Sequence, residues 1–229
     1  YVALLRKSDG GVVREWIGSE EGVFFNCISI GGKLYAVGGT EVGVNRYGVI
    51  YVFDGNLNVL ARIKSEDPSG YTSLAYDGKA VYLAGWAEED VNRDGRKERV
   101  WLVEKIEKRA LETSSFPERN SKRIYFDSWK EGWIHDIGVE PSTGRIWAVG
   151  FYKDPKHGLE FSTLIVIFDG DLRELRRIDY PPGSEGHLGT LYGIAFDGRY
   201  VYISGSDGVA KFSTDGELVA INRDGKKRP

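Results

Sequence analysis

Along the chain, β-branched and aromatic residues recur in short blocks, and Asp-Gly, Gly-Gly and Asn-containing turns separate them. Short apolar or alternating runs bounded by such turns predict strands and hairpins. No stretch carries a convincing apolar stripe at the 3.6-residue helical period. The two segments nearest to helical composition, "EKIEKRALE" and "ELRRIDY", fall where the surrounding pattern asks for an outer strand.

The blocks repeat. "NCISIGGKLYAVGG" (26–39), "TSLAYDGKAVYLAGW" (72–86), "HDIGVEPSTGRIWAVGF" (135–151) and "YGIAFDGRYVYISGS" (192–206) stack on one another, with Ile28, Leu74, Ile137 and Ile194 as apolar anchors. In this stacking the inner-strand positions are Asn26, Thr72, His135 and Tyr192, followed by Cys27, Ser73, Asp136 and Gly193. The glycine pairs at 31–32 and 38–39 read as turn residues. Each copy is followed by a second pair of strands, and the N-terminal "YVALLRKSDGGVVREWI" matches only that second half. A four-stranded unit that buries both faces against its neighbours explains why the unit repeats. The expected fold is therefore all-β: a single β-propeller domain over 1–229 built of four-stranded antiparallel blades. Blades are expected at 24–64, 70–115, 132–180 and 190–223, with 1–17 supplying the outer strands of a closing fifth blade. Four blades with an extra hairpin, or a ring whose missing strands lie upstream, are the alternatives.

The last unit, "YGIAFDGRYVYISGSDGVAKFSTDGELV", resembles a blade of the NHL and strictosidine-synthase-like propeller superfamily, which carries a Gly-Ile-Ala-x-Asp, Gly, x-Tyr-Val pattern. The resemblance implies a propeller and no particular chemistry, because this architecture hosts binding proteins, hydrolases, lyases and structural modules alike. Lactonases and phosphotriesterases of the related six-bladed families hold a channel calcium with Glu, Asn and Asp from several blades. The aligned positions here present no such set.

One loop has the spacing of a cation site. "DVNRDGRKE" (90–98) would offer side-chain oxygens from Asp90, Asn92 and Asp94, a backbone carbonyl from Arg96 and the carboxylate of Glu98, with Gly95 allowing the bend. It resembles the calcium loops of integrin-type propellers, which implies calcium as a cofactor. It departs from them by joining the second and third strands of its unit, and by interleaving Arg93, Arg96 and Lys97. A hydrated Asx-rich turn is the alternative reading. The phrase recurs in "AINRDGKKR" (220–228) with Ala220 and Arg228 at the outer ligand positions.

The aromatic-rich insertion "RIYFDSWKEGWIHD" (123–136) supplies the candidate ligand-binding residues Tyr125, Trp129, Trp133, His135 and Asp136, to which Thr72 and Tyr192 add inner-strand positions. Exposed Trp and Tyr form platforms for a protein, peptide or glycan partner. The leading expectation is a non-enzymatic binding module. The alternatives are a lactonase- or esterase-like hydrolase using His135, Asp136 and Thr72, and a structural module of a cell-surface assembly.

Composition narrows this picture. With 31 basic and 34 acidic residues there is no global positive field for nucleic acid or an anionic membrane surface. Cys27, the single cysteine, excludes an intrachain disulfide and is expected to be a buried thiol. The three histidines show no metal-ligand spacing, and no apolar run approaches the ~18 residues that span a bilayer. A Met-free, charge-rich chain suits a hot environment. The compartment stays open between cytoplasmic and exported after removal of a signal.

Overall fold

The computed structural model describes residues 2–17, 22–42, 44–113, 117–125, 130–153 and 160–223. It opens with a hairpin of β1 (Val2–Leu5) and β2 (Val12–Trp16). Strands β3 (Gly22–Ile30), β4 (Lys33–Val42), β5 (Asn45–Phe53) and the first half of β6 (Val59–Tyr76) form one antiparallel unit. The second half of β6 continues into the next unit with β7 (Ala80–Glu89), β8 (Glu98–Glu107) and β9 (Asn120–Ile124). Two further four-stranded sheets follow: β10 (Glu131–Val139), β11 (Ile146–Lys153), β12 (Phe161–Phe168) and β13 (Glu174–Tyr180), then β14 (Leu191–Phe196), β15 (Tyr200–Gly205), β16 (Gly208–Ser213) and β17 (Leu218–Asn222). The fold is all-β with four four-stranded antiparallel units, and the sheets do not close on one another.

Apolar faces meet at each seam. Tyr35, Ile50 and Ile63 of the first unit pack on Leu83, Leu102 and Ile106 of the second. Tyr82 and Trp101 of the second pack on Ile134 and Val166 of the third, whose opposite face (Trp147, Ile165, Ile167) packs on Val201, Ile203 and Phe212 of the fourth. Each buried side chain of this size contributes roughly 1.5–3 kcal/mol, so the seams carry most of the fold's stability. Trp16 of the hairpin sits on Tyr51 and Phe53 of the first unit at ring-centroid distances of 4.9 and 5.2 Å.

Every inner strand carries a β-bulge at the same place. The register shifts between Phe24 and Asn26, Tyr71 and Ser73, Ile134 and Asp136, and Leu191 and Gly193. The residue opposite the start of each bulge is a glycine: Gly38, Gly85, Gly150 and Gly205. A bulge bends its strand over the partner, and a Cβ on these glycines would fall 1.9 Å from Val23 O, 1.9 Å from Gly70 O, 2.3 Å from Trp133 O and 2.5 Å from Leu188 O. The expectation that Gly38 and Gly39 serve a turn is thus corrected, since both lie within β4. Gly31 and Gly32, with φ of 58° and 78°, do make the turn.

The bulges also correct the repeat alignment. Phe25 is the equivalent of Thr72, His135 and Tyr192, and Asn26 is the equivalent of Ser73, Asp136 and Gly193. Cys27 then takes the anchor position given to Ile28, and it is exposed rather than buried because β3 ends the row of inner strands.

A second correction concerns "EKIEKRALE". Its second half forms a short helix, α1 (Lys108–Thr113), and the outer strand of that unit is β9, further along the chain. The helix is held by tertiary contacts: Leu111 is fully buried in the first seam, and Glu112 accepts hydrogen bonds from Tyr35 (2.6 Å) and Lys108 (2.8 Å). Among the described residues no helix is long and apolar enough to cross a membrane.

Candidate aromatic binding platform

The bulge places a short polar side chain of each of the first three inner strands within reach of the next. Asn26 Nδ2 donates to Ser73 Oγ at 3.0 Å, and Ser73 Oγ donates to Asp136 Oδ1 at 2.6 Å. Asp136 Oδ1 also accepts from Ile137 N (2.9 Å), while Oδ2 accepts from Ile194 N (3.0 Å) in the fourth unit. Thr72 Oγ1 donates to Ile134 O at 2.5 Å, a further stitch between the second and third units. Asp136 and Thr72 are therefore engaged as braces, with their polar atoms directed at protein partners.

The residue beside Asp136 does something different. Successive side chains of a strand alternate in direction, and the bulge turns His135 toward rings from three other positions. Its imidazole lies 5.3 Å from Tyr192, 5.5 Å from Phe151 and 6.1 Å from Trp133. Phe151 is 4.5 Å from Trp133 and 4.6 Å from Phe161, in edge-to-face geometry. Tyr192 is 56% exposed and Phe161 38%, whereas Phe151 is buried beneath them. The guanidinium of Arg99 lies between Trp86 (4.8 Å) and Trp133 (5.6 Å), extending the row into the second unit. Burial depresses the His135 pKa, and the neighbouring Asp136 charge opposes that shift only in part, so the imidazole is neutral at pH 7.

The rings are carried on braced backbone. His187, buried in the β13–β14 connection, donates from Nε2 to Phe161 O at 2.7 Å. Thr163 Oγ1 accepts from Leu188 N (2.9 Å) and donates to Gly189 O (2.8 Å), which fixes the approach to Tyr192. Of the sequence-predicted residues, Trp133, His135 and Tyr192 come together here. Trp129 lies outside the described residues. Tyr125 is exposed and bonds to Glu89, which also pairs with Arg123, so it belongs to a different part of the surface. Phe151, Phe161, Trp86 and Arg99 were not singled out in the sequence. The available signal was an aromatic residue near the end of β11 and another at the start of β12, which strand pairing sets diagonally, Phe151 opposite Thr163 and Phe161 opposite Lys153.

The 90–98 loop is closed by its own backbone. Asp90 accepts from Asp94 N and Gly95 N, both at 3.0 Å, Asn92 from Asp94 N at 3.0 Å, and Asp94 from Arg96 N at 2.8 Å. Glu98 is buried and accepts from Val91 N at 3.1 Å. No three His, Cys, Asp or Glu side chains gather as a cation-ligating group among the described residues, and the Asp90, Asn92 and Asp94 oxygens face loop N–H groups.

A polar cleft of about 430 Å³ lies between the β6 crossover and β7–β9. Buried Glu104 accepts from Tyr71 Oη (2.5 Å) and Ser121 Oγ (3.0 Å), with Arg119 at 3.5 Å. Burial and the Glu104 charge push the Tyr71 hydroxyl well above its ordinary pKa. These groups satisfy one another through hydrogen bonds and an ion pair. Comparison with known protein families and with curated proteins gives no match for this chain.

Proposed function

We propose that this chain is a propeller-type binding module, without catalysis, that takes a protein, peptide or glycan partner on the platform of Trp133, His135, Phe161 and Tyr192. The observation that carries the reading is the pairing of well-exposed rings, Tyr192 and Phe161, with an immobilised bed of Trp133, His135 and Phe151. Rigid, exposed aromatics give binding area at low entropic cost. In the same reading the β1–β2 hairpin stands as the outer pair of a fifth blade.

A hydrolase built on His135, Asp136 and Thr72 needs the three to work together, and Asp136 and Thr72 are committed to the seams while His135 faces rings. The test is to probe the immobilised chain with mixed peptide and glycan arrays, and in parallel with aryl esters and lactones. Retention of an array component by the native chain, its loss in Tyr192→Ala, and hydrolysis at the buffer rate are the expected results. Ester or lactone turnover abolished by His135→Ala would replace this reading with the hydrolase.

A further inference from the structure

We infer that the partner on this platform is a neutral glycan, bound by stacking of separate pyranose faces on Tyr192 and on Phe161 with a sugar hydroxyl hydrogen-bonded to His135. The inference rests on the binding role proposed above and narrows it to one chemical class.

Three observations select the class. The first is the closeness of the rings. Trp133, Phe151 and Phe161 touch edge to face at 4.5–4.6 Å, and His135 and Tyr192 at 5.3 Å, so no gap between them admits an ammonium group or an inserted side chain. A cation held by several rings needs to lie over their faces, and here neighbouring rings cover one another. A ligand must lie across the top, which suits a flat apolar face.

The second is charge. Two cations on strands that carry the platform, Arg99 and Lys153, are each matched by a carboxylate, Glu88 and Glu131. Glu131 faces Lys153 and Glu88 faces Arg99 across their strand pairs. These facing pairs add no net field that would favour an anionic or a cationic ligand.

The third is the imidazole. His135 is half-buried, and its described neighbours are rings rather than hydrogen-bonding partners. A neutral imidazole offers one donor and one acceptor, and a hydroxyl can answer either. A pyranose combines both requirements: C–H groups on one face for the rings, and hydroxyls around its edge for His135.

The experiment is calorimetric titration of the native chain with maltohexaose, cellohexaose, mannohexaose and chitohexaose, repeated with Tyr192→Ala, His135→Ala and His135→Asn. At least one sugar is expected to bind, with affinity falling about tenfold or more in Tyr192→Ala and His135→Ala. His135→Asn, which keeps a donor and an acceptor, is expected to recover part of the loss. Equal melting temperatures of the variants separate a binding defect from a folding one. Sugar binding indifferent to both residues overturns the inference. Failure of all four sugars alongside Tyr192-dependent capture of a peptide overturns the glycan class and leaves the binding role standing. If neither sugars nor arrays yield a Tyr192-dependent ligand, both fall.

Discussion

Ser73 donates a 2.6 Å hydrogen bond to Asp136 across the seam between the second and third units, and the same carboxylate accepts a backbone N–H from the fourth. One side chain therefore ties three inner strands at the level of their bulges. Its neighbour His135, carried on the same bulge, is left to the aromatic platform.

Removing the brace should cost far more than removing the platform. Asp136→Ala leaves Ile137 N, Ile194 N and the Ser73 hydroxyl without their acceptor, a loss of roughly 2–4 kcal/mol. Tyr192→Ala, on a side chain 56% exposed, should change stability by less than about 1 kcal/mol. Urea unfolding of the two variants measures the difference.

The bulge glycines make a second prediction. In Gly85→Ala the new methyl would sit 1.9 Å from Gly70 O, a backbone atom that moves only with the strand. The expected cost is about 3 kcal/mol or more. Gly78→Ala is a control of another kind: there is open space around its Cβ but φ is 100°, so only backbone strain of about 1 kcal/mol should appear. Thermal melting of both variants checks the order.

Acid should loosen α1. Hydrogen bonds from Lys108 and Tyr35, opposed by burial and aided by Lys33, hold the Glu112 pKa at about 2 against an ordinary 4.5. A folded-state pKa below the unfolded one stabilises the fold above about pH 4.5, and that contribution is lost as pH falls toward 2. Because the side chain keeps 21% exposure, solvent screening leaves a contribution on the order of 1 kcal/mol. Glu112→Gln should flatten the stability profile over that window, read from unfolding at a series of pH values.

The 90–98 loop should form without a cation. Asp90→Ala removes the acceptor of two loop N–H groups and should cost about 1 kcal/mol equally in calcium and in chelator. The melting temperature of the native chain should not move with calcium. A rise on adding calcium, absent in the variant, would show that a cation completes the loop after all.

Much of this architecture is readable from residue order. The turns at Asp77 and Asp197 follow from the repeated "DG" phrase, and each aspartate accepts two backbone N–H bonds and a tyrosine hydroxyl as that phrase requires. The first copy is where the reading slips. Taking Ile28 as its apolar anchor, when the exposed Cys27 holds that position, slides the copy by one residue and matches Asn26 with Thr72 instead of Ser73. The four glycines at Gly38, Gly85, Gly150 and Gly205 carried that information, since only a backbone pressed against its partner demands glycine within a strand. The platform is harder to see, because Phe151 and Phe161 meet through strand pairing and not through sequence spacing. Helix α1 is legible only from the packing of Leu111 and Glu112, as six residues are too few to hold a helix by propensity.

The most direct test of the account is to record aromatic and imidazole NMR shifts of the native chain as a bound array component or oligosaccharide is titrated in. The account predicts that shifts concentrate on Trp133, His135, Phe161 and Tyr192, and that Tyr192→Ala abolishes them. Shifts confined to Tyr71 and the Glu104–Arg119 cleft, with the platform silent, would contradict it.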